Sequence, residues 1–325
     1  MRAAWYSSNG EARDVLVVGD MPDPNVGPGE VRVHLVTSGV NPSDVKSRRA
    51  RPLTHDRIVP HSDGAGVIDQ VGAGVSVNRL GERVWTWNAQ WQRPFGTAAE
   101  FVVLPSNQAV HLPAGTDFAA GACLGIPALT AVQAVRLSAD VAGKTALVTG
   151  ASSAVGHYVA QILTQAGARV LGTVGSAEKA RHALNAGVRE VIDYKIEPVA
   201  ERVKALTGGK GVELIVDMDF STTSTWLSAG VLAPHGTLIC YGSNVAAEVP
   251  VNFRSLLWNS LTLKFFLVYD MLPADRRAAL LQLDGLLRAK QLQHTLGSQF
   301  ALADIARAHE VVEAGREIGN VVLML

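Results

Sequence analysis

Over roughly the first 120 residues the apolar positions come in short β-rich runs. Val31-Arg32-Val33-His34-Leu35-Val36 and Glu100-Phe101-Val102-Val103-Leu104 are two of them, and glycine and proline turns divide the runs. Beyond that point the pattern changes to alternating strand and helix. Thr145-Ala146-Leu147-Val148 reads as an apolar strand, and Val155, Val159, Ile162, Leu163 and Ala166 then follow helical spacing. Gly167 ends this helix ahead of a second strand, Arg169-Val170-Leu171. Further strands are expected at Val191-Ile192-Asp193, at Leu214-Ile215-Val216-Asp217, from Thr237 to Tyr241 and from Leu263 to Leu267, six in all. Helical crossovers between them predict an α/β, doubly wound parallel sheet. The tail carries helix patterns from Ala274 to Arg288 and from Leu302 to Glu313, then a strand from Val321 to Leu325, and it is expected to return to the first domain.

The first strand of the alternating region runs into Gly150-Ala151-Ser152-Ser153-Ala154-Val155-Gly156. A small-residue turn between strand and helix lets backbone N–H groups and the helix N-terminus face a phosphate, as in dinucleotide sites. Ser152, Ser153, Ala154 and Val155 are therefore expected against the pyrophosphate. An NAD site usually carries Asp or Glu about 20 residues beyond the glycine turn, to accept from the ribose 2′-hydroxyl. Here that neighbourhood reads Gly172-Thr173-Val174-Gly175-Ser176, with Lys179 on the next helix. A neutral turn followed by a cation suits a 2′-phosphate and predicts NADPH.

A length of 325 residues and a hydrophobic content of 48% suit two domains with sizeable cores. Lys plus Arg and Asp plus Glu both number 29, so no net field favours nucleic acid or an anionic membrane. Basic and aromatic residues are not interleaved as in a nucleic-acid groove. Cys123 and Cys240 are too few for a disulfide framework or a four-cysteine zinc site and suit reduced, buried thiols. No signal-peptide core and no apolar run of the ~20 residues that span a bilayer is apparent, so a cytoplasmic protein is expected.

Several blocks together show a likeness over nearly the whole length. They are Gly39-Val40-Asn41-Pro42-Ser43-Asp44, Ser62-Asp63-Gly64-Ala65-Gly66-Val67-Ile68, Gly81-Glu82-Arg83-Val84, Gly125-Ile126-Pro127-Ala128-Leu129-Thr130-Ala131 and the nucleotide turn, with Lys179, Tyr194, Gly242-Ser243 and Gly319-Asn320-Val321-Val322-Leu323 further on. The chain resembles the zeta-crystallin-like quinone oxidoreductases of the medium-chain dehydrogenase/reductase superfamily. This resemblance implies a GroES-like domain over 1–121, a Rossmann domain over 122–268, and a segment over 269–325 that completes the first. It also implies NADPH-dependent reduction of quinones by a homodimer or homotetramer. By position, Gly175, Lys179 and Tyr194 match the 2′-phosphate site, and Gly242 and Ser243 match a turn near the nicotinamide. Phe265, Phe266 and Leu267 match the segment whose backbone meets the carboxamide. Asn41, Thr130 and Asn320 match the lining of the nicotinamide end.

Two departures from the family pattern stand out. Ser153 replaces the middle glycine of the fingerprint, so the backbone there must avoid positive φ or bear strain, and its hydroxyl gains a route to the phosphate. Lys46 stands where many relatives have an active-site tyrosine, at the head of the basic run Lys46, Arg48, Arg49, Arg51. The zinc alcohol dehydrogenases of the superfamily place Cys and a His-Glu pair where this chain has Ser38-Gly39 and Ser62-Asp63, so no metal is expected, His55 and His61 notwithstanding. Hydride addition to a quinone leaves a conjugated aryloxide, which needs less help than an alkoxide. Asn41 and Thr130 are expected to donate to that oxyanion, and Lys46, Trp87, Trp91 and Phe266 to wall the acceptor pocket, with Trp85 packed inward. Reduction of the activated C=C bond of an enone or alkenal is the neighbouring reading. A crystallin-like binding role with RNA affinity is the distant one.

Overall fold

In the stretch Glu30–Val40, Val31, Val33 and Leu35 are buried while His34 faces solvent, as period-two alternation requires of a strand with one covered face. The computed structural model describes residues 1–245 and 247–325. Its first elements are β1 (Arg2–Trp5), α1 (Ala12–Val15), β2 (Val17–Asp20), β3 (Glu30–Val40), α2 (Pro42–Ala50), β4 (Asp63–Val71), β5 (Arg83–Thr86), β6 (Phe101–Pro105), β7 (Ala109–His111) and α3 (Phe118–Gly121). Next come α4 (Leu129–Leu137), β8 (Thr145–Val148), α5 (Ala154–Gln165), β9 (Arg169–Val174), α6 (Ala177–Asn185), β10 (Glu190–Asp193), α7 (Val199–Leu206), β11 (Val212–Asp217), α8 (Phe220–Leu227), β12 (Leu232–Cys240), α9 (Phe253–Trp258), β13 (Thr262–Phe265) and α10 (Pro273–Arg288). The chain closes with β14 (Leu296–Ala301), α11 (Ile305–Ala314) and β15 (Asn320–Met324).

Two units result, Met1–Pro127 with Leu286–Leu325, and Ala128–Gly285. The breaks expected after residues 121 and 268 fall earlier than these, because most of α10 belongs to the second unit. In the first unit one sheet runs β14-β15-β3-β4-β5-β7, with β6 also on β3 and a separate β1-β2 pair. The C-terminal strand β15 lies antiparallel to β3, with Val322 opposite Gly39. Val31, Val33, Leu35, Ile68, Val84 and Leu104 make one core of this unit.

In the second unit all six strands are parallel, in the order β10-β9-β8-β11-β12-β13. Numbered within the unit this is the 3-2-1-4-5-6 order of dinucleotide-binding sheets, so the expected fold class holds. Leu147, Leu171, Ile192, Ile215 and Leu238, from five adjacent strands, share a core with Val203 and Leu227. The strand order reverses between β8 and β11, and ligands of such sheets bind beyond the carboxyl ends of strands at that point. Gly150 follows β8 there.

Candidate active site

Gly150 has φ +62°, and its N–H donates to Thr173 Oγ1 at 2.9 Å. The Ala151 N–H donates to the Thr173 carbonyl at 3.0 Å, which ties the turn to the end of β9. A Cβ on Gly156 would collide with the Gly150 carbonyl oxygen, so the helix starts as close to the turn as a glycine permits. Ser153 sits at φ −72° as the N-cap of α5 and escapes the strain that a left-handed conformation would impose. Its Oγ accepts from the Gly156 N–H at 3.0 Å. The hydroxyl thus caps the helix as an acceptor, a role that leaves its expected donation to a phosphate open. In the same turn the amides of Ala154 and Val155 have no acceptor among the described residues, as at any helix start that could face an anion.

The corner beyond β9 is equally built. Ser176 caps α6, with its Oγ accepting from the Lys179 N–H at 3.2 Å, so Lys179 stands in the first turn of that helix. Tyr194 follows β10 and lies over Gly175, where an added Cβ would come within 2.6 Å of its hydroxyl. Gly175, Lys179 and Tyr194 therefore assemble around a helix N-terminus that carries no carboxylate at its cap. Ser176 was visible in the sequence only as a neutral turn residue, although Ser three positions ahead of the Lys179 amide is an N-cap signature. Together the α5 and α6 ends fit a dinucleotide whose ribose bears a 2′-phosphate.

The remaining positions are placed as follows. The Gly242 carbonyl accepts from the Phe220 N–H at 3.1 Å, and Ser243 Oγ accepts from the Val245 N–H at 3.3 Å. Phe265 closes β13, the Phe266 N–H donates to the Cys240 carbonyl at 3.2 Å, and the side chains of Phe265 and Leu267 are exposed. Thr130 is buried in the first turn of α4. Asn320 opens β15, and its amide donates to the Thr295 carbonyl at 3.1 Å.

In the first unit Asn41 is the N-cap of α2, its N–H donating to Asp44 Oδ2 at 2.8 Å. Asn41 Nδ2 donates to Asp63 Oδ2 at 3.0 Å, and the Ile126 N–H donates to the same oxygen at 3.0 Å. Burial, then the nearby Asp44 charge, pushes the Asp63 carboxyl well above its ordinary range against the pull of these two donors. Burial likewise lifts Asp44 to about 7. The Asn41 amide is thereby fixed in orientation, and its expected role as an oxyanion donor rests on its second N–H.

His61 is buried at φ +75°, with Nδ1 on Ser38 Oγ at 2.8 Å and Nε2 on His309 Nε2 at 2.9 Å. Burial holds His61 well below its ordinary value, and burial followed by the Arg48 charge takes His309 to about 3. Both ring nitrogens of His61 are used, Ser38 also bonds Thr97 Oγ1 at 2.7 Å, and no three His, Cys, Asp or Glu converge among the described residues. These donors do not fit a zinc ion. Trp85 is buried, Trp87 and Trp91 are half-buried, and Lys46 is exposed on α2.

The model of the alcohol dehydrogenase GroES-like domain matches residues 27–114, and that of the zinc-binding dehydrogenases matches 154–284. A quinone oxidoreductase of Pseudomonas aeruginosa is 33% identical over 317 residues, covering 96% of each chain. The chain belongs to the quinone oxidoreductase family. A rat relative of the same name is 32% identical over 342 residues, covering 100% of this chain and 98% of its own. Among solved structures, a mycobacterial protein complexed with NADPH superposes with a TM-score of 0.89 at 28% identity, over 100% of both chains. The Escherichia coli quinone oxidoreductase complexed with NADPH does so with 0.88 at 25% identity, again over 100% of both. Within this family the present chain keeps the superfamily fold while the donor set around His61 stays closed on itself.

Proposed function

We propose that this protein is an NADPH:quinone oxidoreductase that works without a metal. The observation that carries this reading is the coenzyme corner of the second unit: amides at the start of α5 with no acceptor among the described residues, and a β9 end capped by Ser176 rather than by an acid, with Lys179 and Tyr194 about it and exposed Glu178 the carboxylate in the first turn of α6. Full-length relatives named quinone oxidoreductase, and NADPH complexes of the same fold, support it. When bound, NADPH supplies the hydride. The amides of Ala154 and Val155 hold its pyrophosphate, Lys179 and Tyr194 its 2′-phosphate, and the backbone of Phe265, Phe266 and Leu267 its carboxamide. Within the first unit, the Asp63-oriented amide of Asn41 donates to the oxygen that gains charge, an electrostatic role rather than an acid-base one.

Turnover with NADPH and NADH against a panel of quinones and enones, with and without a chelator, tests each part. Quinone reduction with NADPH preferred and chelator without effect is expected. Reduction of enones alone would overturn the acceptor class, and loss of activity on chelation would overturn the metal-free step.

Two further features support an assembly and a compartment. β13 is an edge strand, and Phe253, Leu257 and Trp258 on the adjoining helix α9 are exposed, so two copies pair edge to edge in a homodimer. Cys123 and Cys240 are free and buried, which suits the reducing cytoplasm, and no helix among the described residues is long and apolar enough to cross a membrane.

A further inference from the structure

A cavity of about 290 Å³ lies wholly within the first unit, lined by Tyr6, Ser47, Arg51, Leu53, Ile58 and Trp91 among others. Its volume is near the lower end of small-molecule sites and accommodates one or two fused rings. Leu53, Ile58 and the Trp91 ring give it apolar walls, and Arg51 supplies a cation, with the guanidinium carbon 5.5 Å from the Trp91 ring centroid.

The basic run on α2 does not spend its charges alike. Buried Arg48 pairs with Glu313 at 2.9 Å and donates to the Gly10 carbonyl at 2.6 Å. Arg49 pairs with Glu313 at 2.5 Å and with Glu11 at 2.8 Å. Arg51 makes no ion pair among the described residues and rests on Trp91. Nor does it cap its own helix. The Asn9 amide donates to the carbonyls of Ser47, Arg48 and Arg51 at 3.1, 2.9 and 3.1 Å, which satisfies the C-terminal carbonyls of α2 that a cation would otherwise serve. On the opposite wall, Asn88 at φ +53° and Gln92 at φ +58° bracket Trp91. That conformation is unfavourable for residues with a side chain. It is held by the Arg93 guanidinium, which donates to the Asn88 carbonyl at 3.0 Å and to Gln108 Oε1 at 2.7 Å.

We infer that this cavity takes a planar aromatic or quinoid ring bearing an anionic substituent, with the ring against Trp91 and Leu53 and the anion on the Arg51 guanidinium. Guanidinium groups bind carboxylates and sulfonates through paired N–H donors, and stacking on an indole holds the fork in one plane. Tyr6, buried in the wall, adds a hydroxyl whose proton is firmly held: burial, then the Asp44 charge, pushes it up to about 12. It donates at neutral pH and does not repel the anion. Asp44 acts electrostatically on Tyr6 and feels Arg51, but it is buried and is not among the lining residues of the cavity. The inference names an acceptor class for the proposed quinone reductase and rests on that reading, but the cavity's preference for anions is measurable without turnover.

Calorimetric titration of the full-length protein with 2-naphthoate and with its neutral isostere 2-naphthamide, without coenzyme, reads the site directly. Naphthoate is expected to bind at least about tenfold more tightly, the scale of a charge-assisted hydrogen bond. Arg51→Gln should erase that difference and Trp91→Ala should weaken both ligands. Equal binding of the two, or a preference that survives Arg51→Gln, overturns the inference. In turnover, the ratio of kcat/KM for 1,4-naphthoquinone-2-sulfonate over 1,4-naphthoquinone should fall about tenfold in Arg51→Gln. Failure to reduce any quinone while naphthoate still binds through Arg51 would overturn the reductase reading and leave the anion site standing.

Discussion

The Tyr194 hydroxyl lies so near Gly175 that a methyl group on the glycine would approach it to 2.6 Å. The pair closes the corner at the start of α6, where the proposed 2′-phosphate site also has the Lys179 charge. Gly175→Ala should displace the Tyr194 ring and raise the dissociation constant for NADPH about tenfold. Lys179→Ala should lower the NADPH-over-NADH ratio of kcat/KM by about 10- to 100-fold, the value of a charge-assisted contact to phosphate. An unchanged coenzyme ratio in Lys179→Ala would remove it from the 2′-phosphate site.

Gly156 makes a different kind of contact, because its missing side chain faces backbone. A Cβ there would strike the Gly150 carbonyl, and neither partner is a flexible side-chain end that can swing away. Gly156→Ala should therefore shift the turn and cost about 1–3 kcal/mol of stability, as overpacking does. NADPH affinity should fall further than that of a variant equally destabilised elsewhere. Urea denaturation and coenzyme titration on the same preparation separate the two effects.

The fold was legible because each strand of the second unit is a short apolar run with its own turn, and the helix beginning at Ala154 matches its 3.6-residue spacing. Pairing partners are another matter: β1, β2, β5 and β7 span three or four residues each, too short for alternation to register. At the site, the glycine turn and Lys179 were readable from their spacing, whereas Tyr194 came only from the resemblance to the family. That Ser153 also caps the helix was not read from the sequence, since a hydroxyl's partner depends on the backbone around it. Asn41-Pro42-Ser43-Asp44 has the form of a helix start with proline at the first position, a local signal that was open to reading. The Asn41 bond to Asp63 and the Arg51 stack on Trp91 join residues 22 and 40 positions apart, and no local pattern records them.

Asp44 gives a pH dependence with a definite sign. Its carboxyl titrates near 7 in the fold and near the ordinary 3.8 when unfolded, so between those values the folded chain holds the extra proton. Stability contributed by this group is then lost as pH rises from about 4 to about 7, at no more than about 1.4 kcal/mol per pH unit, and is flat above that window. Asp44→Asn lacks this titration but keeps an acceptor for the Asn41 N–H. The variant should gain on the wild type steadily between pH 4.5 and 7 in urea denaturation. A stability difference independent of pH would show that Asp44 is ionised throughout.

The edge of the coenzyme-binding sheet supplies the last test. β13 pairs on one side only, with β12, and an edge strand with unpaired N–H and C=O groups is either shielded or used. Phe253, Leu257 and Trp258 are exposed at 71%, 62% and 74%, a density of bare apolar surface that a soluble monomer seldom tolerates. In the proposed dimer, burying these side chains against their copies would give association an apolar centre, and the backbone edges would add directional bonds. Leu257→Glu with Trp258→Glu would place like charges face to face across the two-fold axis, without touching a residue of the inner core. Light scattering should then report a monomer while the circular dichroism of the fold is retained. A monomeric wild type would overturn the dimer, and a dimer indifferent to both charges would move the interface elsewhere.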